Sequence, residues 1–232
     1  MKKIKISAST NPPPANEFFR YMDILDDSDV DFIHCDVMDG KFVPTLSLSY
    51  KTVKGIAKST TKPLDVHLMV KTPSKFLLAK YLRLKPEILA IHYETYMDKE
   101  QLKKMLLFIA KKGVKPGLAI NPDTKVEDFE DIIPYCQMFL IMTVVPGWSG
   151  QKMMEPCLDK IKQIKKIAKG YGIEDMFFEV DGGVNLDNIN KVIKAGADSA
   201  VSGKALYVAQ NKNQFIKAFT CPVKQKTDKA DK

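Results

Sequence analysis

The stretch "DFIHCDVMDG" at residues 31–40 decides how the rest of the chain is interpreted. Its aliphatic and β-branched residues predict a strand over 31–37, and alternate side chains of a strand point to opposite faces. His34, Asp36 and Met38 then share one face, where a packed interior would favour aliphatic side chains. An imidazole and a carboxylate on an inward face are costly unless they are paired or bind a metal. This strand is therefore predicted to carry a functional site.

Seven more runs of this kind recur along the chain, and a segment with helical periodicity follows every strand. The other predicted strands cover residues 3–9, 63–70, 88–94, 115–120, 137–144, 176–182 and 197–203. The predicted helices cover residues 15–27, 49–59, 73–83, 98–113, 125–135, 155–170, 185–196 and 211–220. Eight strand and helix pairs in this length favour an α/β fold, a single closed (β/α)8 TIM barrel, because closure leaves no sheet edge. We expect this barrel domain over residues 1–220 and a disordered, lysine-rich tail over 221–232.

Composition excludes several classes of protein. The chain has 232 residues, of which 45% are hydrophobic, so it can bury a barrel-sized core. No apolar run approaches the roughly 20 residues that cross a bilayer, and the N-terminus lacks a secretory pattern, which predicts a cytoplasmic protein without a membrane partner. The cysteines are irregularly spaced without a C-x-x-C pair, so we expect reduced, structural thiols. They are Cys35, Cys136, Cys157 and Cys221.

The net charge of +8 raises the alternative of a basic, non-enzymatic nucleic-acid-binding protein. The lysines, however, are spread along helical segments such as "KIKQIKKIAK" and lack interleaved aromatic residues. Solvated helix faces and no nucleic-acid partner are the favoured interpretation. The alternative predicts salt-sensitive binding that survives loss of the acidic and imidazole residues at the strand ends.

Polar side chains lie at three predicted strand ends, where TIM barrels carry their catalytic groups. His34 and Asp36 close the second strand, His67 lies near the end of the third, and Asp181 ends the seventh. Each has a structural explanation when taken alone, such as a histidine bonded to the backbone or an aspartate that shapes a turn. Together they form a nitrogen and oxygen set suited to one divalent ion, Zn²⁺, Fe²⁺, Mn²⁺ or Co²⁺.

Two further features accompany this set. Met38, Met69 and Met142 also fall at strand ends, either as core filler or as a water-excluding collar around a metal. The loops after the sixth, seventh and eighth strands are rich in glycine, which lets backbone N–H groups approach an anion, and such loops commonly hold phosphate. The residues of this phosphate signal are Gly147, Gly150, Gly182, Gly183, Gly203 and Lys204.

These residues stand in motifs that resemble the ribulose-phosphate 3-epimerase family. The motifs include "HCDVMDGKFVPTLSLS", "LDVHLMV", "HYE", "MTVVPGWSGQKMM" and "EVDGGVN", in order and at matching spacings from about residue 4 to residue 219. The resemblance implies a TIM barrel of the ribulose-phosphate-binding type. It also implies an isomerase of the pentose phosphate pathway that inverts C3 of D-ribulose 5-phosphate to give D-xylulose 5-phosphate, through an enediolate and two-base proton transfer.

The resemblance assigns roles residue by residue. His34, Asp36, His67 and Asp181 would be the metal ligands, and Asp36 and Asp181 the acid and base. The substrate, a phosphorylated ketose, would be contacted by Ser9, His67, Gly147, Trp148, Ser149, Gly150, Gly182, Gly183, Gly203 and Lys204. Met38, Met69 and Met142 match the methionine collar of the family, and a homo-oligomer is expected.

The chain departs from the family pattern at several positions. After Ser9 it reads "TNPPPANEF", where the family usually has an aliphatic pair followed by a serine, so the first loop is expected to be remodelled by its prolines. Lys204 replaces a small polar residue. A ketohexose 6-phosphate (allulose 6-phosphate) 3-epimerase is a close alternative. A phosphosugar decarboxylase or aldol synthase is disfavoured, because it needs Asp-x-Lys-x-x-Asp and Met38 occupies the lysine position.

Overall fold

A computed structural model describes residues 3–221, and its eight parallel strands close into one barrel. The strands are β1 (Lys5–Ser9), β2 (Phe32–Met38), β3 (Leu64–Met69), β4 (Ile88–His92), β5 (Lys115–Ile120), β6 (Met138–Met142), β7 (Phe177–Asp181) and β8 (Ser199–Ser202). β8 pairs with β1, which completes the ring. The prediction of a (β/α)8 TIM barrel is confirmed, with all eight strands at their predicted places. Of the predicted tail over 221–232, all but Cys221 lies outside the described residues.

Helices follow the strands and cover the outside of the barrel. They are α1 (Phe18–Asp26), α2 (Tyr50–Ser59), α3 (Lys75–Leu82), α4 (Lys99–Ala110), α5 (Asp159–Gly170), α6 (Ile189–Ala195), α7 (Lys204–Val208) and α8 (Lys212–Thr220). Ser49 and Ser74 begin α2 and α3, and each hydroxyl accepts a hydrogen bond from the backbone of the first turn. Gly196 ends α6 in the left-handed region at φ 96°, which a side chain would oppose.

The predicted helix at 125–135 is a 3-10 helix, Val126–Tyr135, with a kink. Phe129 leaves helical geometry there, at φ −131° and ψ 21°, and Pro134 lies inside the segment. Proline removes a backbone donor and clashes with the preceding turn, so a regular α-helix is disfavoured. Shorter 3-10 helices occur at Tyr93–Thr95 and Glu155–Leu158.

The core has two layers, one inside the barrel and one between the strands and the helices. The inner layer includes Ala90, Ala119 and Leu140, and small residues let the strands approach the axis. The outer layer is larger and brings Cys35 and Val37 of β2 against helix residues. The odd-numbered residues of β2 therefore face the helices, and the even-numbered ones face the axis.

Strand register places the polar inward residues at matching heights. Asp36 of β2 lies beside His67 of β3, and Met38 lies beside Met69. On the other side of the barrel, Met142 of β6 lies beside Asp181 of β7. The fold thus brings residues from distant parts of the chain to one level at the C-terminal rim. Residues 3–221 contain no helix that is long and apolar enough to cross a membrane.

Candidate active site

A cavity of about 290 Å³ opens at the C-terminal rim of the barrel. This volume is near the lower end of the range for ligand pockets, about 300 Å³, and suits a small molecule. Most of the predicted site residues line it: Ser9, Asp36, Met38, Met69, Met142, Gly147, Trp148, Ser149, Gly150, Asp181, Gly182, Gly183, Gly203 and Lys204. His34 and His67 lie beneath its floor and are fully buried.

The four predicted metal ligands converge on one point below the cavity. His34, Asp36, His67 and Asp181 each offer a donor atom, and these atoms lie within 4.8 Å of one another. Oδ1 of Asp36 lies 3.0 Å from Nε2 of His34 and 3.0 Å from Nδ1 of His67. Oδ2 of Asp181 lies 3.8 Å and 3.9 Å from the same two nitrogens. Two nitrogens and two oxygens in this arrangement can hold a divalent ion.

The two carboxyl groups of this centre have different pKa values. Burial would raise the pKa of Asp36, but His34 and His67 outweigh it and hold the pKa below its usual value. Burial, followed by the neighbouring Asp36 carboxylate, raises the pKa of Asp181 to about 6. Near neutral pH, Asp36 is therefore ionised, while Asp181 can hold or release a proton. Carboxyl pairs whose pKa values are separated in this way are suited to acid and base roles.

Each of the two histidines is held by a side chain outside the four-residue centre. Nδ1 of His34 donates to Oδ2 of Asp65 at 2.5 Å, because a carboxylate can only accept. Nε2 of His67 lies 2.8 Å from Nε2 of His92, whose Nδ1 donates to Oε2 of Glu94 at 3.0 Å. When Nε2 of His67 donates to His92, Nδ1 of His67 would be free to bind an ion at the four-residue centre. Such outer contacts are typical of imidazoles that bind metals.

A second buried carboxyl pair lies one layer deeper in the barrel. Asp65 accepts from Ser7 and His34, and Glu179 accepts from Ser199, while one oxygen of each acid has no donor among the described residues. Burial, together with the Asp65 carboxylate, raises the pKa of Glu179 well above its usual value. Glu179 therefore holds a proton that it can share with the unpaired oxygen of Asp65. Neither acid was among the predicted site residues, although each precedes a predicted ligand by two residues and so shares its inward face.

Replacing Glu179 with glutamine is expected to stabilise the protein increasingly as pH rises. In the wild type, the unfolded chain loses this proton above about pH 4.5 and the folded chain keeps it, so stability falls by up to about 1.4 kcal/mol per pH unit until the folded pKa is reached. Glu179→Gln cannot ionise, and its amide can donate to Asp65 in place of the acid. Urea unfolding at pH 4.5 and pH 7.5 measures the difference.

The exposed Glu174 provides the control, because Glu174→Gln should behave alike at the two pH values. Equal destabilisation by Glu179→Gln at both pH values would show that Glu179 does not carry the proton.

The glycine loops after β6 and β7 are packed against each other. Gly183 has φ 68°, and a Cβ there would lie 2.6 Å from the carbonyl oxygen of Gln151 and 2.6 Å from the amide nitrogen of Met153. Gly182 has φ 123° and would meet Val144 at 2.6 Å. Only glycine allows this approach of two backbones at the rim.

Gly183→Ala is expected to destabilise the fold by about 2 kcal/mol or more, since it combines a left-handed backbone with a clash against backbone atoms. Gly170→Ala is the matched control, because a Cβ at that position in α5 meets nothing within 4 Å. The control should be neutral or slightly stabilising. Denaturant unfolding compares the two variants, and similar stabilities would contradict the role of Gly183.

A parallel barrel whose floor holds two carboxyl groups and two imidazoles beneath a rim cavity defines the chain as a TIM-barrel enzyme. Residues 6–207 match the model of the ribulose-phosphate 3 epimerase family. The chain belongs to this family, and it is thus an isomerase of the epimerase type.

Curated relatives of the chain agree with this assignment. The chain is 38% identical over 186 residues to a ribulose-phosphate 3-epimerase of Bacillus subtilis (strain 168), covering 80% of this chain and 84% of the relative. It is 35% identical over 192 residues to a ribulose-phosphate 3-epimerase of Helicobacter pylori (strain ATCC 700392 / 26695), covering 83% and 86%.

Solved structures share the fold at low sequence identity. A 3-keto-L-gulonate-6-phosphate decarboxylase from Vibrio cholerae matches with a TM-score of 0.68 at 12% identity, over 94% of this chain and 96% of that one. A 3-hexulose-6-phosphate synthase matches with a TM-score of 0.58 at 15% identity, over 94% and 98%. At these identities the likeness concerns the barrel alone.

Proposed function

We propose that the protein is a metal-dependent epimerase that inverts C3 of D-ribulose 5-phosphate to give D-xylulose 5-phosphate. The observation that carries this proposal is the pair of carboxyl groups, Asp36 and Asp181, that line one small cavity above two imidazoles. The names of the curated relatives support the same substrate. Epimerisation beside a ketone needs two such groups, one on each face of the carbon that changes configuration.

The residues below the cavity fit a divalent ion. Nε2 of His34 and Oδ1 of Asp36 face each other at 3.0 Å, where a proton is needed to join them and a cation can replace it. His67 and Asp181 complete the donor set, which accepts Zn²⁺, Fe²⁺, Mn²⁺ or Co²⁺. When bound, the ion supplies Lewis-acid stabilisation of the negative charge that develops on the ketone.

The protein side chains would carry the proton. Asp36, held ionised by the two histidines, is suited to remove the C3 proton, and Asp181, with its pKa raised to about 6, is suited to return one from the opposite face. In the reverse direction the two roles exchange. Met38, Met69 and Met142 line the same cavity and would exclude water from the reacting carbon.

The glycine-rich loops at the rim of the same cavity are proposed to bind the phosphate. Gly147, Gly150, Gly182 and Gly183 have positive φ values and expose backbone at the cavity wall. Lys204 is the one lysine or arginine among the described residues that line the cavity. Trp148 and Ser149 complete the loop after β6. A single cation beside backbone donors suits one dianionic group.

Lys204→Gln is expected to raise KM about tenfold or more with a small effect on kcat. A charge-assisted contact contributes about 1.5 to 3 kcal/mol, and it is made before and during the reaction alike. Lys152→Gln is the control, because Lys152 is exposed in the loop after β6 and does not line the cavity. Steady-state kinetics separate the two constants. An unchanged KM in Lys204→Gln would remove Lys204 from the phosphate site.

Solvent-proton exchange at C3 of ribulose 5-phosphate, followed in D2O, tests the proposed function. The expected result is incorporation of deuterium together with formation of xylulose 5-phosphate. Faster turnover of allulose 6-phosphate would support the ketohexose alternative instead. Release of carbon dioxide or aldol products without C3 inversion would contradict the epimerase.

Three further expectations accompany the proposal. We infer one barrel domain over residues 1–220, a homo-oligomeric assembly, and a cytoplasmic enzyme without a nucleic-acid or membrane partner. Light scattering tests the assembly. Binding of duplex DNA at low salt would support the basic binding protein.

A further inference from the structure

Asn11, which was not among the predicted site residues, contacts the carboxylate of Asp36. Its Nδ2 donates to Oδ2 of Asp36 at 3.0 Å, and its side chain lines the cavity. Oδ1 of Asp36 faces the two histidines at 3.0 Å, so Oδ2 is the oxygen turned toward the cavity. Ser9 also donates to Oδ2, at a longer 3.3 Å. The hydrogen bond from Asn11 is therefore the shorter of the two that Oδ2 of Asp36 accepts.

The amide of Asn11 can lie in only one orientation. An ionised carboxylate accepts hydrogen bonds and cannot donate, so the NH2 group must face Asp36. The amide oxygen then faces Ser47, whose hydroxyl donates to it at 2.8 Å. Two hydrogen bonds in series thus run from Ser47, in the loop after β2, through Asn11 to Asp36 at the cavity floor.

The backbone that carries Asn11 is held on both sides. The preceding residue, Thr10, donates twice to the carbonyl oxygen of His34, from its amide at 3.1 Å and from its hydroxyl at 3.0 Å. The following residue, Pro12, has a fixed φ and restricts Asn11 to extended backbone. A Cβ on Gly203 would lie 3.4 Å from Pro12, so the loop also packs against the end of β8. This support keeps the Asn11 amide in place at little entropic cost.

This contact belongs to the part of the chain that departs from the family pattern. Thr10 and Asn11 occupy the positions where the resemblance predicts an aliphatic pair, and an aliphatic side chain cannot hydrogen-bond Asp36. The departure places a polar group next to the Asp36 carboxylate, and the prolines that follow restrict the loop that carries this group.

We propose that Asn11 is a positioning residue that holds Oδ2 of Asp36 in the direction from which it exchanges a proton with the substrate. The terminal torsion of an aspartate is broad, so without this donor the carboxylate can rotate away from the substrate carbon. Misplacement of a reacting group by about 1 Å can cost about 100-fold in rate. The inference rests on the proposed epimerase function.

The test compares Asn11→Leu, Ser47→Ala and the double variant with the wild type. Asn11→Leu keeps the size of the side chain and removes both contacts, and we expect kcat to fall about 10- to 100-fold with KM changed less than about threefold. Ser47→Ala leaves the amide unsupported and should give a smaller loss of kcat. In the double variant, the second change should cause no further loss of kcat, because both residues act through the same series of hydrogen bonds. The exposed Asn16 of the same loop provides the control, Asn16→Leu, with wild-type kcat.

Two measurements besides turnover distinguish positioning from a structural role. Metal content and melting temperature of Asn11→Leu should match the wild type. A loss of metal that parallels the loss of kcat, or additive effects of the two changes, would overturn the proposal. If Asn11→Leu does not fold, an unchanged kcat in Ser47→Ala overturns it.

Different results would contradict the proposed function and the proposed role of Asn11. Wild-type protein that exchanges no C3 proton contradicts the epimerase, whereas an active wild type with an equally active Asn11→Leu contradicts only the role of Asn11.

Discussion

Asp36→Asn and Asp181→Asn are each expected to lower kcat about 1,000-fold or more while the barrel stays folded. Proton transfer by a positioned side chain contributes about 100- to 10,000-fold, and an amide of the same shape can neither remove nor return a proton at neutral pH. Both residues line the cavity, and the side chains are 9% and 17% exposed, so each can reach a substrate. Each substitution also removes a negative oxygen from the proposed metal site.

Asp187→Asn is the matched control, because Asp187 is exposed in the loop that follows β7. It should retain wild-type kcat. Circular dichroism checks the fold of all three variants, and steady-state rates with ribulose 5-phosphate check the activity. Either site variant with more than a tenth of wild-type kcat would refute the two-acid mechanism.

Removal of metal is expected to lower turnover at least about 100-fold and to lower the melting temperature. Lewis-acid stabilisation contributes several kcal/mol to such reactions, and a factor of ten corresponds to about 1.4 kcal/mol. Binding also stabilises the folded state, by about 2.7 kcal/mol at a free metal concentration 100 times Kd. Chelator treatment, followed by addition of Zn²⁺, Mn²⁺, Co²⁺ or Fe²⁺, measures both effects.

His67→Gln separates site binding from adventitious binding. This variant lacks the donor at Nδ1, so added metal should no longer raise its melting temperature. Visible absorption of the Co²⁺ form gives a readout that does not depend on activity. Wild-type turnover and melting temperature that are both unaffected by chelation would exclude the proposed metal site.

The barrel could be predicted from the sequence because each strand is a short apolar run bounded by helical periodicity. The four-residue centre could also be predicted, since the C-terminal ends of all eight strands meet at one rim of the barrel. The segment at 125–135 was harder, because its apolar spacing suits a helix and only Pro134 argues against one.

The contacts that hold the site residues in place could be predicted only in part from the sequence. Asp65 and Glu179 could have been predicted, since two-residue spacing places them on the inward face below His67 and Asp181. The contact of His92 with His67 could not be predicted, because it depends on the register of β3 against β4, which pairs His67 with Ala90. Asn11 gave no periodic signal, as it lies in a loop whose path is set by tertiary contacts.

The pairing of β1 with β8 has a consequence for biosynthesis. β1 is translated before the other seven strands, yet its second neighbour, β8, is the last of the eight to be translated. Ile4 also donates to the carbonyl oxygen of Thr220 at 3.3 Å, which joins the two ends of the described chain. One edge of β1 therefore stays unpaired, and open to other chains, until β8 has been synthesised.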